Sequence, residues 1–208
     1  MAEQIKLTKT QLRDEQLKLS QLQKYLPTLQ LKKAMLQMEV NNAEAEEASF
    51  RAEFQVNEDK VTAYSALLSD KSASDLISAV TIKEVKKRYE NIAGVDLPFF
   101  EEVEFEPATY FFFDTPVWLD SAIVGVQNLL IAREKLKTVQ EKKRALLKEL
   151  REVSIRVNLF EKIMIPRAQS NIKKIKIFLS DQGLAAVCQA KVAKHKISLQ
   201  QLQKRKRA

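Results

Sequence analysis

Residues Leu119 to Met164 read LDSAIVGVQNLLIAREKLKTVQEKKRALLKELREVSIRVNLFEKIM, and the placing of apolar residues in this stretch decides the fold. Ala122, Leu129, Leu136, Leu150, Val157 and Met164 recur at seven-residue steps, with Lys143 as the exception. Ala132, Val139, Leu146, Val153 and Phe160 form a second series three residues further on. These are the a and d positions of a heptad repeat, which requires an apolar partner helix along the seam and a left-handed supercoil.

Toward the C-terminus Pro166 shifts the pattern, and Ile172, Ile175 and Leu179 resume the stripe one residue out of phase. Gly183 is a place where the helix is expected to loosen. Beyond it Leu184, Ala185, Val187, Cys188, Val192, Leu199 and Leu202 carry a stripe of smaller residues to the basic tail Lys204-Arg205-Lys206-Arg207. Cys188 is expected to be packed in that stripe, and His195, set among lysines, to be an exposed polar residue.

Toward the N-terminus a first arm carries the matching pattern. Its a series is Ile5, Leu12, Leu19, Leu26, Val40, Phe54, Val61 and Leu68, interrupted by Lys33 and Glu47, and its d series is Leu22, Leu29, Leu36, Ala43, Phe50 and Tyr64. Pro27 lies inside this run and predicts a local kink. Two arms of about 65 and 85 residues, joined by a short connection, fold back on each other most easily, giving an antiparallel rod on the order of 100 Å long. Placing Leu68 near Ala122 sets Glu47 beside Lys143, so that the two charges misplaced on the seams face each other and fix the register.

The fold class is therefore mainly α: a long antiparallel two-helix coiled coil with a short β-hairpin and irregular middle segment. Residues 1–70 form the N-terminal coiled-coil arm, 71–117 a short helix plus β-hairpin connection, and 118–208 the C-terminal coiled-coil arm with its basic tail. Within the connection, Asn91 to Pro98 reads as a turn. Glu101 to Glu106 alternates as a strand does, and Tyr110-Phe111-Phe112-Phe113 completes the hairpin. The aromatic run is either a small local core or a docking patch for a partner. The connection is acidic and aromatic and is expected at one end of the rod, with the basic termini at the other.

The composition agrees. Three glycines and five prolines in 208 residues leave few corners, and 30% of the residues are charged. One cysteine and one histidine exclude an intrachain disulfide or a zinc site of Cys and His ligands. No apolar run long enough to span a bilayer and no signal peptide are found, so a cytoplasmic protein is expected. The net charge of +8 admits nucleic acid, anionic lipid or an acidic protein surface as a partner. Phosphate-binding, metalloprotease and nucleophile-elbow motifs are missing, and Glu101-Glu102 reads as a solvated acidic edge. No catalytic, cofactor or metal residues are assigned.

Arg156-Val157-Asn158-Leu159-Phe160-Glu161, followed by Ile163-Met164-Ile165-Pro166-Arg167 and by Ile172, Ile175 and Leu179, resembles the second-arm signature of the D subunits of V-type and archaeal-type ATPases. Asn91-Ile92-Ala93-Gly94-Val95 with Leu97-Pro98 is similar to that family's central turn, and Leu7-Thr8-Lys9 and Leu31-Lys32-Lys33 to the layout of its opening. Two features depart from it: Pro27, and the small apolar stretch Leu184 to Ala190 where family members are Arg-rich.

The resemblance implies a non-catalytic central rotor shaft, carrying torque between a catalytic ring of A and B subunits and a membrane ion-translocating ring. It implies that both termini lie inside the A/B ring, that the F subunit docks on the side of the rod, and that the C (or d) subunit receives the end around Gly94 to Pro107. The partner contacts it implies are Gly94, Pro98, Phe99, Phe100, Tyr110, Arg156, Asn158, Glu161 and Arg167. The last four have an alternative role in fixing the helix across Pro166. A competing reading is a homodimeric coiled coil that binds anionic membrane or nucleic acid through a basic face.

Overall fold

A computed structural model describes residues 6–66, 76, 79–107 and 116–207, with residues 200–207 described by backbone alone. Helix α1 runs Lys9–Ala63, strands β1 and β2 run Ile82–Ile92 and Val95–Phe105, and helix α2 runs Leu119–Leu159. A π-helical turn at Phe160–Met164 leads into helix α3, Ile165–Arg207. The expectation of two long helices around a small hairpin is met. The chain divides into two compact units, one of Met1–Gln30 with Ile155–Ala208 and the other of Leu31–Ser154.

In the second unit the heptad positions form the core. Leu36, Val40 and Ala43 of α1 are buried, as are Ala132, Val139, Leu146 and Val153 of α2. Lys143 Nζ lies 3.0 Å from Glu47 and 3.2 Å from Glu44, so the seam charges expected to face each other do so. Further ion pairs run in the same antiparallel sense: Glu53 with Lys135 at 3.1 Å, Glu46 with Lys142 at 2.9 Å and Lys32 with Glu149 at 2.8 Å. Opposite charges facing each other across α1 and α2 admit this register and oppose slippage by a turn, which would separate each pair. Leu68 lies outside the described residues.

A small cluster closes this unit, with Leu76, Ala79, Leu119, Ala122 and Ile123 buried and Tyr64, Val80, Trp118 and Val126 packed against it. Gly125 is required here by close approach, because a β-carbon at that position would stand 2.2 Å from Tyr64 Oη. That hydroxyl is buried with no hydrogen-bond partner among the described residues.

The hairpin differs from the sequence reading. Its turn is Ala93-Gly94, with φ of 52° and 80°, and Ile92 pairs with Val95. Positive φ at both central residues is what a two-residue turn needs to match the twist of its strands. Asn91 Oδ1 accepts from Gly94 N at 3.1 Å, and Asn91 Nδ2 donates to Asp96 Oδ1 at 2.7 Å, which secures the turn from both sides. The first strand is therefore Ile82–Ile92, a stretch with no strand assigned to it from sequence, and the second begins at Val95, inside the expected turn.

The physical reason is twofold. Register shifts at Ile82/Glu84 and Lys86/Lys87 break the period-two alternation by which a strand is recognised. Pro98, paired with Tyr89, argues against a strand interior but is tolerated in a two-stranded sheet, where both strands are edges. The expected aromatic strand Tyr110 to Phe113 lies outside the described residues.

In the first unit Leu22 of α1 is buried, with Leu12, Leu19 and Leu26 half-buried. Val157 of α2 is buried, and so are Ala168, Ile172 and Ile175 of α3. The one-residue phase shift resides in the π turn, where the Ile165 amide donates to the Phe160 carbonyl, five residues back. A π turn holds one residue more than an α turn, so the stripe after it is displaced by one position. Pro166 fits just after it, since a proline ring has no amide to donate and crowds the carbonyl four residues before it.

Helix α1 continues through Pro27, and α3 continues through Gly183 rather than loosening there. A single glycine among helix formers costs about 1 kcal/mol, too little to break so long a helix.

Candidate functional site: partner-contact surfaces

The hairpin lies along the helices of its own unit. A β-carbon on Gly94 would sit 3.8 Å from Lys32 Nζ, and Lys87 Nζ bonds Glu141 at 2.6 Å. The hairpin is thus folded back beside α1 and α2, whereas the sequence reading put the connection at the end of the rod. An extended strand of eleven residues covers about 36 Å, enough to run beside some two dozen helical residues. Folding back buries Leu97 and Val103, whose burial offsets the ordering of the strands.

Pro98, Phe99 and Phe100 face a cavity of about 410 Å³ that is also lined by Glu46, Phe50, Thr138 and Lys142. Lys142 holds the centre of this arrangement. Its side chain is 4% exposed, its ammonium bonds Glu46, and it stands 4.4 Å from the centroid of the Phe99 ring. A nearly buried cation is tolerated when a carboxylate neutralises it and the face of an aromatic ring attracts it. Neighbouring Thr138 is fully buried and bonds the Glu134 carbonyl at 2.8 Å, so its hydroxyl is satisfied within the helix.

On the outer side of the sheet Lys86 pairs with Glu104 and, at 3.9 Å, with Glu102, and Arg88 pairs with Glu90. The Glu104 carboxyl is held below its ordinary range by that bond, and the Lys86 ammonium is held above its own.

The candidate residues in the first unit sit at the π turn. Arg156, Asn158 and Glu161 are exposed, and Arg167 helps to line a cavity of about 590 Å³. Leu159, Ile163 and Met164 form its apolar wall, and Glu15 and Lys18 its α1 side. Asn171 is buried at its edge and donates to Glu15 at 3.5 Å.

Beyond Leu179 every residue of α3 through Leu199 is exposed, including Leu184, Val187, Val192 and Ile197. Cys188 is exposed with them, contrary to the expectation that it is packed. The pairing of Glu15 with Asn171 explains this, because antiparallel counting from it brings Lys9, where α1 begins, level with residue 177. Past that point no described part of the chain lies opposite α3. Of the remaining candidate contacts, Gly94 is exposed at the hairpin tip and Tyr110 lies outside the described residues.

These features, a heptad pair with a central hairpin and a π turn before the Ile-Pro-Arg segment, occur in a chain that matches the family model for the ATP synthase D subunit over residues 11–195. The chain belongs to the family of ATP synthase D subunits. Among relatives, it is 41% identical over 198 residues to the V-type ATP synthase D subunit of Chlamydia abortus, covering 95% of each chain. It is 43% identical over 198 residues to that of Chlamydia caviae, again with 95% of each covered. With that of Chlamydia pneumoniae it shares 42% over 200 residues, 96% of each. The resemblance of the second-arm segment therefore extends to nearly the whole chain.

The contacts that tether the hairpin of this D-subunit family member, Lys87 with Glu141 and Lys142 with Phe99, were not legible in the sequence. Each joins residues more than forty positions apart in segments whose periodicities are independent. No helix among the described residues is long and apolar enough to cross a membrane.

Proposed function

We propose that this chain is the central stalk component of a V-type rotary ATPase, a non-catalytic shaft that carries torque between the ring of A and B subunits and the ion-translocating ring in the membrane. The observation that carries the reading is the pairing of both heptad seams within a single chain, held in register by the Glu47–Lys143 pair, in a member of the D-subunit family. A shaft must resist twisting, and interlocked a and d side chains with ion pairs bridging the helices oppose slippage of one helix along the other.

The length of α3 beyond Leu179, apolar on one side and with none of the described residues of its own chain opposite it, is suited to sit within the A/B ring. The F subunit docks on the side of the helices, and the C/d subunit receives the region of Gly94 to Pro107. Arg156, Asn158, Glu161 and Arg167 serve rotation from the neighbourhood of the π turn. The chain works on the cytoplasmic side, peripheral to the membrane through its complex. The homodimeric reading gains no support, because the seam between α1 and α2 that a second copy would need is already filled within one chain.

Affinity purification of the tagged chain from native membranes tests this. The expected result is co-elution with a nucleotide-binding A/B assembly, a small side-bound protein and the membrane ring, with one copy of this chain per complex. Elution alone or as a homodimer refutes it.

A further inference from the structure

The hairpin and the two helices of its unit meet around a space that their own side chains leave open. Phe50 stands at a seam position of α1 and is only half-buried, while Ala43, one heptad earlier on the same seam, is fully buried. Phe99 and Phe100 of β2 are half-buried as well. The cavity of about 410 Å³ lies among these three rings, over Thr138, Val139 and Lys142 of α2. Its walls come from α1, α2 and β2, and each residue lining it is buried or half-buried.

Interiors are ordinarily close-packed, because atoms facing a void lose the contacts they would otherwise make. Water is a poor filling for this one. A held water needs about two to four polar partners, and the polar groups here are already engaged. The Thr138 hydroxyl bonds the Glu134 carbonyl at 2.8 Å, Glu46 accepts from Lys142 at 2.9 Å, and Glu53 accepts from Lys135 at 3.1 Å. An apolar cavity of about 150 Å³ can hold a benzene ring. A space of this volume therefore takes a ring with a short substituent and room to spare.

One group on the wall retains capacity for a ligand. The Lys142 ammonium carries three N–H donors, of which Glu46 accepts one, and the face of Phe99 lies 4.4 Å away. Its side chain is 4% exposed, so the remaining capacity is not met by bulk water. Charge narrows the choice further. Each lysine already has its carboxylate, so the lining is electrically balanced. A buried anion would compete with Glu46 for Lys142, and a buried cation would meet two ammoniums. A neutral oxygen accepts a hydrogen bond without displacing either pair.

We infer that this cavity is a binding site for a small, neutral aromatic molecule carrying one hydrogen-bond-accepting oxygen, with its ring among Phe50, Phe99 and Phe100 and its oxygen accepting from Lys142. Aromatic rings favour offset or edge-to-face neighbours, and three phenylalanines from two elements offer both. Such a ligand touches β2 and both helices at once, so its binding braces the hairpin where it lies. The inference concerns the interior of one unit of this chain and does not depend on the stalk reading.

The test titrates the full chain with acetophenone, toluene, benzoate and benzylamine, which are close in size and differ in the group beside the ring. Ligand-observed magnetic resonance and calorimetry give the affinities. Acetophenone is expected to saturate at one molecule per chain with a Kd below about 1 mM, toluene to bind about tenfold more weakly, benzoate to bind more weakly than acetophenone, and benzylamine not to bind. Hydrogen exchange of amides 95–105 is expected to slow when acetophenone is bound. Lys142→Met keeps an apolar stem, and Glu46, whose side chain is 43% exposed, can then turn to water. That variant is expected to weaken acetophenone about tenfold and to leave toluene within about twofold. Phe100→Trp fills the space and is expected to abolish binding of both, with an unchanged circular dichroism spectrum.

Equal affinity for acetophenone and toluene overturns the inference, as does tightest binding of benzoate or benzylamine. Binding that fails to saturate, that survives Phe100→Trp or that is indifferent to Lys142→Met overturns it too, and so does slowed exchange outside the hairpin alone. Should Lys142→Met fail to fold, the order of the four probes on the wild type and their loss in Phe100→Trp still decide.

Discussion

Removing one residue from the π turn should be tolerated, while adding one there should not. The turn at Phe160–Met164 holds an extra residue between two correctly phased stripes, Val157 on one side and Ala168, Ile172 and Ile175 on the other. Deleting Ile163, an exposed residue, lets the segment close as an ordinary α turn and leaves the later stripe where it was. Pro166 would then stand in a regular helix, at a cost of about 3 kcal/mol, so the deletion should be combined with Pro166→Ala. The combined variant is expected to lie within about 1 kcal/mol of the wild type in its local stability.

Inserting an alanine after Lys162 turns everything that follows by about 100° and carries the stripe off the seam. Ile172 and Ile175 are 9% and 0% exposed, and losing the burial of each at about 1.5 to 3 kcal/mol puts the insertion at about 3 to 6 kcal/mol. Hydrogen-exchange protection of amides 168–179, read with the circular dichroism melt, measures both variants. A plain α-helix would suffer equally from one residue more or less. Equal damage from deletion and insertion would therefore refute the assignment of the phase shift to the π turn.

Three further outcomes are expected. Tyr64→Phe should raise stability by about 1 kcal/mol, because the buried hydroxyl has no partner among the described residues; Gly125→Ala should lower it by about 1 to 3 kcal/mol by forcing the Tyr64 ring aside, and less so in the Tyr64→Phe background, as thermal melts of the single and double variants would show. The Glu47 carboxyl is held below its ordinary 4.5 chiefly by the bond from Lys143, with burial opposing. A depressed folded-state value means that this stabilisation is complete above the unfolded-state value and is lost as pH falls through the folded one. The wild type should thus lose its advantage over Glu47→Gln only on acidification below about 4.5, and an advantage that disappears near neutral pH in melts of the two proteins would contradict this. Ala93→Gly should be neutral to about 1 kcal/mol stabilising, because relief of a positive φ at alanine is offset by the greater freedom of glycine in the unfolded chain; proteolytic nicking at the hairpin tip should fall or stay the same.

The sequence by itself determined what depends on neighbours along one helix. Leu36, Ala43, Val139, Leu146 and Val153 were assigned to the seam from spacing alone and are buried. The Glu47–Lys143 pair could be counted out in advance, because two interruptions on complementary heptads have one antiparallel solution that places them together. The phase shift near Pro166 was also visible, though not the π turn that produces it, since one displaced stripe gives no indication of which hydrogen bonds were rearranged.

Only the tertiary structure decided where the hairpin lies and which strands make it. β1 carries bulges and charges that hide its period, and the hairpin is tethered to α2 by Lys87–Glu141 from β1 and by the nearly buried Lys142 against Phe99 of β2. The exposed length of α3 was hidden for a related reason, because its apolar residues recur as though for a partner while α1 begins at Lys9 and supplies none. Periodicity records which side of a helix avoids water. What covers that side depends on surfaces brought together from distant parts of the chain, and local spacing carries no record of those.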